Sequence, residues 1–525
     1  NTGAMADSSL IFKAMEDEMA HVCHELATRH NTVPLFVNYV LERKHTSGTE
    51  SSGGVCVNKR KGNVKNSISV HIFLGDSLVT NDTGVEHHPQ NIPDEIGYDR
   101  IRDAFRSKSE IAYQGAVQRL DNKRTHLKQN PKPADNAVVP EFKRMPPAVW
   151  IGPSALTIPC PVTDMEQLSN RLSKVFSDYP ELFNHCVKVY QKRVDYYRLT
   201  SEGQKILQPD TVFHITARAS IKTDGNEVKT EYYRLHVGGI NDLPSEDALI
   251  GELHRFAEYM QQKNRAKAVE DLYIGPVLYE DDAAMELLAE KIADYSHSYW
   301  ISIRNQSDRK HRYLGKQVFP PALSVCQLGN DSVYNGVKLL GYRQVDADGT
   351  KPKTLPIIEK GILKHMLTGR TPSLGCPAST GNEHFDGLSR TLETRYTAGV
   401  FRVTSNRPVP YSKLYKRFLK AAKKAGLEHT YIIRKNRTSP YALIRVDLST
   451  GKEELVEGNY NSPSREQFKR MHAISKEENV YNLDPAGGKG LGIISPKAIL
   501  LEDMELDITP SRARHIDEAF YELRH

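Results

Sequence analysis

The stretch DTVFHITARASIKTDGNEVKTEYYRLHV, residues 210–237, constrains the fold more than any other part of this 525-residue chain. Its first half alternates polar side chains with apolar ones, which are Phe213, Ile215, Ala217, Ala219 and Ile221. Asp224 and Gly225 then favour a tight turn, and a tyrosine-rich segment returns. This pattern predicts a hairpin whose turn is permitted by glycine.

Length and composition favour a soluble protein of two or more domains. A chain of 525 residues exceeds what one ordinary hydrophobic core supports. We place the boundary near residue 270, which gives an N-terminal domain of residues 6–270 and a C-terminal domain of residues 271–525. No apolar run approaches the 18 residues of a membrane span. A net charge of +6 is mild for this length and does not by itself indicate nucleic acid.

The remaining elements follow from periodicity. An amphipathic helix is expected after Ser9, which is a plausible N-cap, and its apolar stripe consists of Phe12, Met15, Met19, Val22 and Leu26. Residues 34–44 and 67–75 indicate strands, and the polar segment 45–54 indicates a turn between them. Further helices are predicted at 109–128, 164–177 and 246–268. Residues 130–162 are rich in proline and predict an extended crossover.

Two further predictions concern the C-terminal half. A short buried strand at 271–280 is followed by a helix from about Asp282. Another helix is expected with Ser412 as its cap and Gly426 at its end. Its apolar face carries Leu414 and Phe418, and its other face carries six lysine and arginine residues. A basic face on a surface helix is usually only solvated, so we assign it no function.

The histidine-rich stretch HVCHELATRH, residues 21–30, resembles a zinc motif in its letters but not in its spacing. Zinc peptidases of the H-E-x-x-H type place two His ligands four residues apart on one helix face. Here His24 and Glu25 are followed by His30, six residues after His24, which turns the two rings about 120° apart. We therefore expect solvated helix residues at these positions.

Other suggestive motifs also favour structural interpretations. The loop DPAGGKGLG, residues 484–492, lacks the hydroxyl residue that should follow Lys489 in a phosphate loop. The segment VDADGT, residues 345–350, starts like a calcium loop but lacks the closing Glu, so a turn is expected. The segment CPASTGNEH, residues 376–384, is expected to be a structured loop.

Six scattered cysteines without C-x-x-C spacing argue against a zinc ribbon and leave the redox compartment open.

Several segments together resemble the TldD/PmbA family, whose members were once called modulators of DNA gyrase. They are YRLTSEGQKI before the hairpin turns, YIGPVLYEDDAAMELLAEKI near residue 270, YNGVKLLGYRQVDADGTKPKTLPIIEKGILKHML with ASTGN after it, and SPKAILLEDMELD. Together they cover roughly residues 195–505. The resemblance implies an α+β fold, with an antiparallel sheet in the N-terminal domain and a β-rich C-terminal domain. It also implies a dimer around a peptide-sized cavity.

Active members of this family are zinc peptidases that cleave extended peptides. The resemblance places their His-Glu-x-x-x-His motif on Ala289-Glu290-Lys291-Ile292-Ala293-Asp294 and their Cys ligand on Asn459. Only Glu290 matches, as a vestigial catalytic position. Ala289, Asp294 and Asn459 are degenerate zinc-site positions, because an alanine and an amide are poor ligands for zinc. The chain therefore resembles the PmbA (TldE) type, which lacks the zinc motif, and we expect no zinc or other cofactor.

Three functions remain open from the sequence. The first is a non-catalytic subunit that forms a homodimer, or a heterodimer with a zinc-bearing TldD-type subunit, around an extended peptide. The second is an active hydrolase with a relocated site that involves Cys376, His384 or His365. The third, DNA binding, is the least favoured, and neither nucleic acid nor a membrane is an expected partner. A cytoplasmic location and an exported one, in which a signal peptide is removed, are both compatible with the sequence.

Overall fold

The computed structural model describes residues 7–83, 89–134, 137, 139–159, 161–224, 226–296, 310–371, 373–385, 392, 394–396, 399–439, 441–471, 473–483 and 491–510. Within these ranges the chain mixes helices with mostly antiparallel strands, which confirms the predicted α+β class. No described helix is long and apolar enough to cross a membrane. The predicted boundary at residue 270 stays a prediction.

The N-terminal half contains four α-helices among the described residues. They are α1 Ser8–Arg29, α2 Tyr98–Gln129, α3 Val162–Ser173 and α4 Glu246–Arg265. Its strands are β1 Phe36–Ser52, β2 Val55–Arg60, β3 Lys65–Phe73, β4 Gln90–Ile92, β5 Ala148–Ile151, β6 Leu182–Thr200, β7 Gln204–Lys222 and β8 Val228–Val237.

The C-terminal half is rich in strands, with helices α5 Asp282–Ser296, α6 Tyr411–Lys424 and α7 Arg465–Lys469. The strands to residue 405 are β9 Lys267–Ala268, β10 Asp271–Asp281, β11 Leu323–Gln327, β12 Val333–Tyr334, β13 Val337–Lys338, β14 Leu355–Glu359, β15 Ile362–Leu363, β16 Glu383–Phe385, β17 Thr394–Tyr396 and β18 Val400–Ser405. The later strands are β19 His429–Lys435, β20 Thr438–Ser439, β21 Ala442–Asp447, β22 Glu453–Glu457, β23 Ala473–Ile474, β24 Glu478–Leu483, β25 Leu491–Pro496 and β26 Ala498–Ile508.

Three large sheets organise the described residues. The N-terminal sheet has the order β20-β8-β7-β6-β1-β3-β4, with β2 beside β1 and β5 beside β7. The second sheet has the order β23-β26-β10-β19-β21-β22-β9, and the third has the order β15-β14-β11-β18-β25-β24. Because β20 comes from the C-terminal half and pairs with β8, the N-terminal sheet contains strands from both halves.

The predicted hairpin forms as β7 and β8, and the apolar side chains that alternate along β7 are buried. Phe213, Ile215, Ala217, Ala219 and Ile221 are all buried, in one cluster with apolar residues of α3 and α4. Burying a full aromatic or branched aliphatic side chain contributes about 1.5–3 kcal/mol. The turn residue Gly225 lies outside the described residues. The apolar stripe of α1 is likewise buried, against α2 and the sheet.

The predicted turn at residues 45–54 is wrong, because β1 continues as a strand to Ser52. Its polar side chains are buried by partners that lie far away in sequence. The hydroxyls of Thr49 and Ser51 lie 3.0 and 2.7 Å from the Ser169 hydroxyl on α3. The turn itself is confined to Gly53 and Gly54, which adopt positive φ angles of 59° and 91°.

Several helix boundaries also differ from the predictions. Ser9 is not the N-cap of α1, because the Asp7 carboxylate accepts the Ser9 N–H and takes that role. Ser412 is not the cap of α6, which begins at Tyr411 after Pro410. The helix predicted at 109–128 extends over 98–129, and the one predicted at 246–268 ends at Arg265. The proline-rich crossover contains the short strand β5.

A buried ion-pair network joins the N-terminal sheet to the C-terminal half. Asp348 Oδ1 lies 3.0 Å from the Arg198 guanidinium on β6 and 3.3 Å from Arg370 Nε. Arg370 also reaches Glu202, after β6, at 2.8 Å. These four side chains are at most 6% exposed. Burial opposes ionisation of Asp348, but the two guanidiniums outweigh it and hold the pKa of this carboxyl below its usual range.

Two further buried carboxyl groups, those of Asp346 and Glu383, lie beside the Asp348 carboxylate. Asp346 accepts backbone N–H groups of Asp348, Thr350 and Glu383 at 2.9–3.1 Å. Burial, and next the charge of Asp348, raise the pKa of Glu383 well above its usual range. Glu383 is therefore the carboxyl of this network that holds a proton most firmly near neutral pH. The predicted turn at 345–350 is present, and its acidic side chains support the interface between the halves.

We predict that Asp348→Asn destabilises the protein by about 3–5 kcal/mol, because it leaves two buried guanidiniums short of a carboxylate. Chemical denaturation of wild type and variant measures this difference. Asp103→Asn is the matched control, since Asp103 is 73% exposed and its only described ion pair is to Arg106, at 3.5 Å. Equal midpoints for Asp348→Asn and wild type would show that the network does not hold the halves together.

We predict that Glu383 makes the protein less stable as the pH rises. Its folded pKa is raised, so its contribution is fully present below the unfolded value of 4.5 and is lost as the pH rises through the folded pKa. Glu383→Gln mimics the protonated form and should flatten this dependence. Melting temperatures at pH 5 and pH 8.5 decide, with the exposed Glu359→Gln as control. Identical pH profiles for wild type and Glu383→Gln would contradict the assignment.

Candidate functional site

Helix α5 carries the predicted site and is fixed firmly at its start. β10 ends at Asp281, which has a positive φ of 54°, and the chain turns directly into the helix. The Asp282 carboxylate accepts the Arg437 N–H at 2.9 Å. Burial raises the pKa of Asp282 to about 6. The helix buries Ala284, Leu288 and other apolar residues against β10 and β19, so its remaining face is held in a defined orientation.

The two predicted histidine positions lie on that helix without a ligand set. Ala289 is half-buried and offers only a methyl group. The Asp294 carboxylate lies 3.2 Å from Arg465 Nε, so it has a cationic partner. Glu290 is 52% exposed in its side chain and lies 3.0 Å from Lys291 Nζ. These contacts are those of ordinary helix residues with salt bridges.

The segment that holds the predicted third ligand position runs beside α5. Asn459 is exposed, and its backbone pairs with Thr509 through bonds of 2.8 and 2.9 Å. Three residues later, the Ser462 hydroxyl donates to Glu290 at 3.5 Å, and Arg465 follows at Asp294. The chain therefore brings Ser462 and Arg465, which follow Asn459 closely in sequence, to the predicted helix.

The residues present at these positions do not fit a zinc ion. Zinc sites use Cys, His and carboxylate donors, with three protein ligands where the site is catalytic. Ala289 supplies no donor, and the Asp294 carboxylate is engaged by Arg465. Throughout the described ranges, no group of three or more His, Cys, Asp or Glu side chains is placed to hold a metal. The metal content itself stays a prediction.

Polar groups that the sequence analysis did not identify also surround α5. Glu286 lies one helical turn before Glu290. Its carboxylate accepts a hydrogen bond from the Tyr441 hydroxyl and lies 2.6 Å from Lys435 Nζ. The hydroxyls of Tyr279 and Tyr460 are buried and have no hydrogen-bond partner in the part of the chain that the structure describes. Two signals for these residues are present in the sequence: Glu286 and Glu290 are four residues apart, and Tyr279 lies two residues after Val277 in the same strand.

The chemistry of this cluster favours binding over bond cleavage. Burial raises the pKa of Tyr279, Tyr441 and Tyr460, so their hydroxyls stay neutral. Neutral hydroxyls donate hydrogen bonds to carbonyl or carboxylate oxygens. Glu290 faces Ser462 and Lys291 and is not placed against an activated nucleophile. The cluster therefore contains neutral hydroxyl donors, and among the described residues around Glu290 no nucleophile is placed for cleavage.

The other candidate residues are dispersed or inert. Cys376 is buried in the apolar core of the C-terminal half, and burial raises the pKa of its thiol. A catalytic thiol needs the opposite shift. His384 is buried on β16, whereas His365 is exposed. In α1, His24 is exposed and Glu25 pairs with His21 and Arg29, as expected for a solvated helix face. Residues 484–490 lie outside the described residues.

Comparisons with known proteins agree on one family. Residues 274–408 match the family model described as the PmbA/TldA metallopeptidase C-terminal domain. The fold resembles TldE from Thermococcus kodakarensis, with a TM-score of 0.57 and 11% identity over 94% of this chain and 99% of that one. No curated protein matches the chain.

Two further solved structures show the same architecture. One is a "putative modulator of DNA gyrase" from Bacteroides thetaiotaomicron, with a TM-score of 0.59 and 13% identity over 96% of this chain and 100% of that one. The other, described in the same words, comes from Thermotoga maritima, with a TM-score of 0.56 and 13% identity over 94% and 100%. These identities establish the fold, and the family-model match adds the sequence evidence. Residues 274–408 therefore carry a PmbA/TldA-family domain, and the chain as a whole shares the fold of these TldE and gyrase-modulator structures.

Proposed function

We propose that this chain is a non-catalytic, zinc-less TldD/PmbA-family subunit that dimerises around a peptide-sized cavity in proteolysis or peptide maturation. The observation that carries the proposal is the state of α5. Where active members carry two histidines, this chain has Ala289 and an Asp294 that is paired with Arg465. Without bound metal there is no Lewis acid and no water of lowered pKa.

The surroundings of α5 support a role in holding peptide. Tyr441 is 37% exposed and carries a hydroxyl that donates to Glu286, and Lys435 and Glu286 form a charged pair beside it. Peptide backbones present carbonyl and amide groups, which such donors and acceptors recognise. The proposed partner is a second copy of this chain or a zinc-bearing TldD-type subunit, which would supply the cleavage chemistry. We propose no cofactor, and neither nucleic acid nor a membrane as partner.

We predict that the purified protein retains far less than one zinc per chain after incubation with zinc and dialysis. Ala289→His, Asp294→His and Asn459→Cys, combined in one variant, restore the donor types that active members use, so this variant should retain zinc. Elemental analysis of both proteins measures this. The matched control carries Ser at the same three positions.

Two outcomes would contradict this proposal. Near one zinc per wild-type chain would show that the chain has a metal site elsewhere. A His/His/Cys variant that binds no more zinc than the Ser control would show that these three positions do not form the family's former site. Circular dichroism of each variant verifies that the fold is kept.

We predict that Glu290→Gln leaves the free energy of unfolding within about 0.5 kcal/mol of wild type, because Glu290 is half exposed and Gln has similar helix propensity. Any measured peptide cleavage should also stay unchanged. Wild-type cleavage that disappears in Glu290→Gln would mean that Glu290 still acts as a general base. Glu286→Gln is the informative comparison, since it removes the negative charge that pairs with Lys435 and accepts from Tyr441.

A further inference from the structure

Two large apolar side chains are exposed near the start of β10 in the second sheet. Leu272 and Ile274 are 66% and 59% exposed. β26 pairs with β10 at both residues, whereas β19 pairs with β10 only from Val277 onward. Surface leucines and isoleucines are common singly, but a neighbouring pair on one face of a strand indicates a surface that a partner covers. The opposite face of the same sheet is covered by the main core of the C-terminal half.

The exposed pair is surrounded by carboxylates. Leu272 lies opposite Asp507 and Ile274 lies opposite Glu505 on the antiparallel strand β26. Asp503, Glu505 and Asp507 are all exposed, at two-residue intervals that place them on one face. Among the described residues, Asp503 has Arg470 at 3.7 Å, and no ion pair reaches Glu505 or Asp507. We call these five residues the acidic block.

Helix α6 lies next to the acidic block, on the same side of the sheet. Its apolar residues Leu414 and Phe418 pack with Leu278 of β10 and Leu500 of β26. Its outer surface carries five exposed lysines, Lys413, Lys416, Lys420, Lys423 and Lys424, which we call the basic face. The neighbouring Arg417 lies 3.4 Å from Glu502 within the chain, and the five lysines have no described ion pair.

We propose that the acidic block and the basic face are the two halves of one interface between two copies of this chain. The two surfaces are adjacent on one side of one sheet. A two-fold axis between them therefore places the basic face of each copy on the acidic block of the other, and the contact closes as a dimer. Lysine stems cover apolar side chains while their ammonium groups reach carboxylates, which suits Leu272 and Ile274 beside Glu505 and Asp507.

Charge selects the second copy over other partners of a basic helix. A nucleic acid or an anionic membrane would be attracted by α6 and repelled by Asp503, Glu505 and Asp507 beside it. A nucleic acid would not cover Leu272 and Ile274, and a membrane surface that covered them would bring its anionic headgroups against the three carboxylates beside them. A second copy satisfies both surfaces at once. This inference rests on the dimer in the proposed function and adds the surface that forms it.

The test reverses charge on each half of the interface separately. One variant carries Lys416→Glu and Lys420→Glu, and the other carries Glu505→Lys and Asp507→Lys. In a dimer of either variant alone, both symmetry-related contacts bring like charges together, so we expect the dimer to weaken at least tenfold. In a dimer that contains one copy of each variant, both contacts bring opposite charges together, so an equimolar mixture should form dimers again. All four positions are exposed, and circular dichroism and melting temperature verify that each variant folds.

Sedimentation velocity across micromolar concentrations separates a dimer from the 59.2 kDa chain. Arg124→Glu with Lys128→Glu on α2 is the matched control, and it should sediment like wild type. Added salt should weaken the wild-type dimer. Dimers that persist in both reversed variants, or a mixture that stays monomeric, would show that these residues do not form the interface. The dimer of the proposed function would then have to use another surface.

Two further outcomes would also decide against the proposal. A wild type that stays monomeric would contradict both this interface and the proposed dimer, while the zinc retention of the His/His/Cys variant would still test the site. Duplex DNA that binds wild type and is lost in Lys416→Glu/Lys420→Glu would assign the basic face to nucleic acid instead.

Discussion

Asp348 lies between the guanidinium groups of Arg198 and Arg370, and this buried contact joins strand β6 of the N-terminal half to loops of the C-terminal half. A charge pair without access to water is costly unless each member is well satisfied. Here Arg370 also reaches Glu202, and Glu383 is the carboxyl that holds a proton. The arrangement ties the N-terminal sheet to the C-terminal half, which carries α5.

With the halves joined, α5 occupies the same place in the chain as the catalytic helix that the family resemblance implies, but its chemistry has changed. Arg465 holds the Asp294 carboxylate, and Lys291 lies beside Glu290. The helix still borders the 459–465 segment and a group of tyrosine hydroxyls that includes Tyr279. A helix that keeps its position but lacks the metal ligands is consistent with the proposed non-catalytic subunit, whose partner would carry out the cleavage.

Local patterns in the sequence predicted the elements that local forces determine. The β7–β8 hairpin and the β10–α5 junction follow from alternation and helical spacing. Contacts between distant residues were not visible. Ser51 looks like a turn residue, but Ser169 on α3 buries it in a strand. Asp348 looks like part of an ordinary turn, and only the folded chain brings Arg198 to it. The degenerate zinc positions were placed through family resemblance, since no local pattern marks an absent ligand.

The claim that α5 no longer holds zinc can be tested in place by anomalous diffraction from crystals grown with excess zinc, with data on both sides of the zinc absorption edge. The account predicts no anomalous peak within ligand distance of Glu290, Asp294 or Asn459. Weak peaks at scattered surface carboxylates or histidines would agree with it. A strong peak between α5 and the 459–465 segment, coordinated by Glu290 or by Asp294 released from Arg465, would contradict it directly.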